Sequence, residues 1–329
     1  MHRAPNRARG LNMTWFQRLL LITVAATFVL VVIGGTVRAT GSGLGCPDWP
    51  TCHGKFIPES DKHTLIEFSH RTAAFVVGML FLGVTYFTFK TERKNPLVFW
   101  LAFSAGLLLL VQVILGGITV KKELPSSIVA THLGTAMAFI GVLIITVTIS
   151  LMRSRGLRAF AWSADTAFTR LAALSAAMTL VTLVLGSYIS NTGAALACDS
   201  WPLCNGDVVP TGGGDVALHF LHRLVAGTLG ILLLGLIYLA FEERRRQPLL
   251  LALALFAGAA YGAQVVVGAA NIWTNLSAAV IVAHLSLAAL IWCTTVLTSA
   301  LAYYLPGDDV EADAGERRRH GAEAAQWVR

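Results

Sequence analysis

Apolar positions in this chain gather into long unbroken runs, separated by short polar stretches, instead of alternating with polar ones. The runs fall at about 14–36, 66–89, 97–119, 127–151, 167–190, 217–240, 249–271 and 277–303. Each is long enough to cross a hydrocarbon core of about 30 Å as a helix. A closed β-barrel would need short alternating segments, which runs rich in Leu, Ala and Val do not provide. The pattern predicts an all-α polytopic membrane protein of eight transmembrane helices.

The polar residues interrupting this pattern recur at a constant offset of 152. Cys46 matches Cys198, Cys52 matches Cys204, His70 matches His222 and His132 matches His284. Trp49-Pro50, Arg71 and Gln112 recur as Trp201-Pro202, Arg223 and Gln264. The chain therefore holds two copies of a four-helix unit. An even number of crossings sends the second copy into the membrane in the same direction as the first. The expectation is two tandem four-helix bundles related by a pseudo-twofold axis along the membrane normal. The expected divisions are an N-terminal segment (1–13), a first bundle (14–151), a linker (152–166), a second bundle (167–304) and a disordered tail (305–329).

Composition agrees, with 55% hydrophobic and 13% charged residues. Basic residues cluster in alternate connections: Arg3, Arg7 and Arg9; Lys90, Arg93 and Lys94; Arg153, Arg155 and Arg158; Arg244, Arg245 and Arg246. By the positive-inside rule these are cytoplasmic, as are both termini, and the cysteine loops lie outside. The net charge of +7 follows from this asymmetry and calls for no nucleic acid. The first apolar run exceeds the core of a secretory signal and has a counterpart in the fifth run, so it is expected to stay in the mature protein.

Four histidines inside apolar helices invite a functional reading, since ionisable residues there usually face the bundle interior. Each is expected four to seven residues past the outer start of helices two, four, six and eight, about 6–10 Å deep. Neutral histidines bonding across helices are the bland alternative. Paired imidazoles on facing helices suit a haem iron better than zinc, which takes three or four protein ligands. Arg71 and Arg223 need an anion such as a haem propionate, or must snorkel outward. Glu67 shares a helical face with His70, and its counterpart is His219. A glutamate there can simply favour the helix start, or accept protons beside a bound group. On the second reading, the first half performs chemistry and the second holds a fixed redox cofactor. The cysteine pairs Cys46/Cys52 and Cys198/Cys204 read as disulfide staples of a lid, with a redox role open for the first. Cys293 reads as a small buried apolar residue.

Residues 14–304 resemble the haem A synthase family. The resemblance rests on Gly34-Gly35-Thr36-Val37-Arg38-Ala39-Thr40-Gly41-Ser42-Gly43 leading into Cys46-Pro-Asp-Trp-Pro-Thr-Cys52. It also rests on Glu67-Phe-Ser-His70-Arg71, Thr131-His132-Leu133-Gly134, Leu221-His222-Arg223 and Ala283-His284-Leu285. It implies an oxidoreductase of the bacterial plasma membrane that converts the C8 methyl of haem O to the formyl group of haem A by successive hydroxylations. It further implies that His222 and His284 hold a retained haem b, that His70 and His132 hold the substrate, and that Glu67, Cys46 and Cys52 serve catalysis. The implied partners are a haem O synthase, the terminal oxidase assembly pathway and an electron acceptor left unidentified.

Two other classes are compatible with a duplicated helical frame. A bis-haem electron carrier would place its haems near opposite membrane faces, whereas all four histidines are expected near one. A repeat-built transporter would break its helices near the midplane, where the histidine helices lack proline.

Overall fold

The computed structural model describes residues 13–58, 61–157 and 166–305. Residues 1–12, most of the expected linker (158–165) and the expected tail from 306 onward lie outside the described residues. Eight helices are long and apolar enough to cross a membrane: α1 (Trp15–Ala39), α2 (Lys62–Phe87), α3 (Pro96–Lys121), α4 (Ser126–Ser154), α5 (Ala167–Thr192), α6 (Gly214–Glu243), α7 (Pro248–Trp273) and α8 (Ala278–Ala302). A short π-helical segment, Thr88–Glu92, extends α2.

The helix starts follow from local chemistry. Thr14 and Gln17 form a capping box on α1, and the Asp61 carboxylate accepts from the amides of His63 and Thr64 at the start of α2. Pro96 and Pro248, 152 residues apart, open α3 and α7 where a missing N–H costs nothing. The turns after α3 and α7 also match. Glu123 and Leu124 have φ of 57° and 61°, and Asn275 and Leu276 have 53° and 61°.

Two helices begin earlier than the apolar pattern suggests. The first turns of α2 and α6 are polar, with Lys62 and His63 in one and Asp215 in the other, so reading from hydrophobicity starts them too late. His70 and His222 therefore stand eight residues past their helix starts, from Lys62 and Gly214, which is about 12 Å. His132 and His284 stand six residues past Ser126 and Ala278, about 9 Å. Arg38, which the pattern assigns to a loop, lies in the last turn of α1.

Within the first half, α1 packs on α2 and α4, and α3 packs on α4 and more lightly on α2. The second half repeats this with α5 to α8. Between halves, α4 meets α5, α1 meets α8, and α4 meets α8. Exchanging each helix for its counterpart maps this set onto itself, with the α4–α8 contact at the centre. There the Trp292 ring lies against Gly141, and its Nε1 donates to the Met137 carbonyl at 2.8 Å. Met137, Ile140, Ile144, Leu183 and Val296 fill the same seam. A larger cluster, including Phe16, Leu20, Phe81, Leu143, Phe168 and Leu236, packs the end away from the cysteine loops. At that end Arg244 is fully buried, donating to Thr166, Thr169 and the Leu305 carbonyl and lying over the Phe168 ring. Outward faces stay apolar and exposed, as at Phe75, Met79 and Leu82 on α2 and Ile231 and Leu234 on α6, which suits a lipid surround.

Candidate functional site

His70 is on α2 and His132 on α4, helices that sit diagonally across the first bundle and are not among its closely packed pairs. His222 and His284 occupy the same places on α6 and α8. His132 is within electrostatic reach of His70, and His222 of His284. Each pair thus faces inward across its own bundle.

A glycine on the neighbouring helix backs every one of these rings. A Cβ at Gly34 on α1 would lie 3.1 Å from His70 Cε1, and one at Gly186 on α5 would lie 3.0 Å from His222 Cε1. The corresponding distances are 3.5 Å from Gly116 to His132 and 3.2 Å from Gly268 to His284. The imidazoles turn their Cε1 edges toward helix backbone, closely enough at Gly34, Gly186 and Gly268 that a methyl group there would press on the ring. In all four residues Nδ1 is buried with no hydrogen-bond partner, while the residue as a whole is half-buried. Gln112 steadies one of them, donating from Nε2 to the His132 carbonyl at 2.7 Å. Among the described residues no group of three or more His, Cys, Asp or Glu side chains is arranged to hold a metal ion.

These glycines allow a graded test. Alanine gains about 1 kcal/mol of helix propensity over glycine, whereas overpacking costs about 1–3 kcal/mol. Gly116→Ala, which makes an ordinary contact, is expected to raise the thermal midpoint of the purified protein slightly. Gly186→Ala, the tightest of the four, is expected to lower it. A reversed order would show that the rings are not held against the backbone.

Above the first pair, Cys46 is bonded to Cys52 and, above the second, Cys198 to Cys204. Each closes a tight loop containing a cis proline, Pro50 or Pro202. The loops fold over the bundle ends, with the Trp49 ring against Gly117 of α3 and Trp201 edge-on to Trp273 of α7. Arg71 clamps the first loop. Its Nη1 donates to the carbonyls of Asp48 and Thr51, and its Nη2 to that of Cys46, all at 2.8 Å. Its Nε donates to Glu67 Oε1 at 3.1 Å, and Glu67 is only 5% exposed. Arg223 clamps the second loop through the carbonyls of Cys198, Ser200, Pro202 and Leu203. The acceptors that the sequence left open for these guanidiniums are thus mainly loop carbonyls. At the position of Glu67, His219 Nδ1 accepts from the Cys198 amide.

The loops carry their aspartates at different positions: Asp48 in the first, where the second has Ser200, and Asp199 in the second, where the first has Pro47. Asp48 accepts from the Thr51 hydroxyl and from the amides of Gly54 and His53, which hold its carboxyl down at about 2. Its counterpart, Ser200, donates to the Leu203 carbonyl and accepts from the Gly206 amide. A carboxylate with a depressed folded pKa stabilises above its ordinary value and loses that contribution as pH falls. Reduction of Cys46–Cys52 by a phosphine should therefore speed up relative to Cys198–Cys204 as pH falls from 3.8 toward about 2. Equal rates throughout that window would remove Asp48 from the account of loop stability.

Two contacts with no signature in the residue pattern join the halves at this end. Arg38 Nη2 donates to the carbonyl of Ser190, the residue at its own position in the second copy, and Ser126 Oγ donates to the Asn191 carbonyl at 2.7 Å. Cys293 is a free thiol, half-buried at the central seam.

Paired histidines under disulfide-closed loops in a duplicated bundle coincide with the span of one family: the profile of COX15-CtaA, described as cytochrome oxidase assembly protein, matches residues 17–296. The chain belongs to the COX15-CtaA family. Among similar proteins, the Heme A synthase of Exiguobacterium sibiricum is 31% identical over 294 residues, covering 88% of this chain and 95% of the relative. That of Symbiobacterium thermophilum is 31% identical over 271 residues, covering 78% and 87%. That of Shewanella oneidensis is 29% identical over 333 residues, covering 87% and 95%. In this COX15-CtaA chain the matched span contains all four histidines, Glu67 and both disulfides.

Proposed function

We propose that the protein is a haem A synthase, an oxidoreductase that converts the C8 methyl group of haem O to the formyl group of haem A. The carrying observation is the arrangement of two histidine pairs, each on diagonal helices and each ring backed by glycine, with a buried carboxylate beside only the first. The residues fit haem. Four imidazoles whose buried Nδ1 atoms lack a well-formed hydrogen bond are the orphaned polar groups that a bound haem would account for. Two imidazoles per half would suffice to hold a haem iron, since the macrocycle brings the remaining ligands itself. On this reading His222 and His284 hold a retained haem b, with Gly186 and Gly268 giving the rings room. When bound there, haem b supplies one-electron redox chemistry next to the substrate half. His70 and His132 hold haem O. Any role for Arg71 and Arg223 toward propionates is shared with their hold on the loops.

Converting the methyl to a formyl group, with water as the oxygen source, releases four electrons and four protons. It passes through two hydroxylations to a geminal diol that loses water. Glu67 is suited to receive protons at Oε2 while Oε1 stays on Arg71 Nε. The Cys46–Cys52 loop, held by the same guanidinium, covers the site and limits access of bulk water. The electrons leave to an acceptor outside the chain. The positive-inside pattern puts the cysteine loops on the outer face of the bacterial plasma membrane and the termini inside. A haem O synthase then supplies the substrate, and assembly of a terminal oxidase consumes the product.

Co-expression with a haem O synthase, followed by haem extraction and chromatography, tests this. Haem A should accumulate only when the chain is present. Its absence from cells that make both the protein and haem O overturns the proposal. Glu67→Ala should abolish haem A while the purified protein keeps haem b. Normal product from that variant would take Glu67 out of the chemistry.

A further inference from the structure

The two copies differ most between their second and third helices. In the second half α6 and α7 are closed on each other. A Cβ at Gly230 would meet the Tyr261 hydroxyl at 2.7 Å and its ring at 2.8 Å, and one at Gly258 would meet Ile237 Cδ1 at 2.6 Å. Tyr261 also donates across the seam to the Ala226 carbonyl at 2.7 Å. The first half has Leu109 in place of Tyr261 and Thr85 in place of Ile237. Gly78, the counterpart of Gly230, has nothing within 4 Å of a Cβ. Here α2 and α3 part to leave a cleft of about 270 Å³, lined in part by Phe81, Phe99, Phe103 and Leu110. The π segment following α2 contributes Thr88 and Phe89 to the same lining. The hydroxyls of Thr85 and Thr88 are turned back onto the carbonyls of Phe81 and Val84, so the cleft presents an apolar wall.

We infer that the α2–α3 cleft is the slot for the isoprenoid tail of the substrate haem, an inference that rests on the proposed function. It lies in the half that carries Glu67, and it runs away from the histidine pair. Leu110 is six residues from Gly116, which backs His132, and Phe81 is eleven from His70, about 9 Å and 16 Å along the helices. Those distances bring the near end of the cleft within reach of an extended farnesyl chain leading down past Gly78 from a macrocycle held by His70 and His132. The far end at Phe89 lies about 28 Å along from His70. Phe103, Leu107 and Leu110 are more than half exposed, so the slot opens sideways, where a tailed haem dissolved in a bilayer can enter and leave. Among the described residues Tyr261 and Ile237 fill the corresponding α6–α7 seam, which suits a haem that lacks the tail and stays bound.

The test uses the purified full chain with its second site loaded, titrated at the first site with haem O and with tail-less haem b. Thr85→Ile combined with Leu109→Tyr copies the second-half seal into the first half. It should weaken haem O about tenfold, the effect of failing to bury a couple of methylene groups. Binding of haem b to the first site and retention of haem in the second should be unchanged. Phe103→Ala, which removes wall without intruding, should also weaken haem O selectively. The slot is overturned if haem O and haem b affinities fall together, if neither changes, or if native mass spectrometry finds a phospholipid there that haem O does not displace. A wild-type chain that takes up neither haem in its first half overturns the slot and the proposed function together. Variants that still make haem A with unaltered haem O affinity overturn the slot alone.

Discussion

Changing His222 or His284 to alanine should strip the purified protein of its retained haem absorbance, whereas His70→Ala and His132→Ala should leave that band and stop haem A formation. On the proposed reading each ring is one of two protein ligands in its bundle, so its loss would remove a metal bond outright. Losing even a group that merely orients a ligand typically costs about 10–100-fold in metal affinity, and losing the ligand itself should cost more. The partner ring would be left half-buried without its opposite number. The gap cannot close easily, because the histidine-bearing helices are held apart by α1 and α3, or by α5 and α7. Soret absorbance per protein, with a pyridine haemochrome assay, reads the first effect, and extracted haems read the second. If the first-half variants were the ones to lose the band, the roles of the two halves would have to be exchanged.

The second large effect is expected at Arg71. One guanidinium holds the Glu67 carboxylate and three carbonyls of the disulfide loop, so the proposed proton acceptor and the loop above it are positioned by the same group. Bonds to a charged group contribute about 1.5–3 kcal/mol each, and a catalytic group displaced by about 1 Å can cost about a hundredfold in rate. Arg71→Ala should therefore lower haem A formation by about a hundredfold. Arg71→Lys should not rescue it, because a single ammonium cannot reach Glu67 Oε1 and the carbonyls of Cys46, Asp48 and Thr51 together. Arg223→Ala should make Cys198–Cys204 easier to reduce and leave turnover close to normal. Full activity in Arg71→Lys would show that only the charge matters and that the fork geometry is incidental.

Much of this molecule was legible in the chain because a membrane imposes long apolar runs, and because duplication marks which polar residues both copies keep. The eight helices, the paired cysteines and the matched depth of the histidines come from those two constraints. The starts of α2 and α6 do not, since their first turns carry Lys62, His63 and Asp215 and pattern with the loops. The partners of Arg71 and Arg223 were hidden for another reason: they are backbone carbonyls, which no residue identity encodes. The glycines behind the histidines were within reach, for Gly34 recurs as Gly186 and Gly116 as Gly268 at the same offset of 152. Which ring each one faces depends on helix rotation, which sequence spacing does not fix. The opening between α2 and α3 depends on Leu109 and Thr85 standing where Tyr261 and Ile237 stand, ordinary substitutions until the packing is seen.

The central contact between α4 and α8 carries one member of each histidine pair on its two walls. With Trp292 seated on Gly141 and bonded to Met137, α4 cannot tilt as a rigid rod without dragging α8. A displacement that widens the gap between His132 and His70 therefore also alters the gap between His284 and His222. The two grips share one wall, so a shift of that wall is felt on both sides of it.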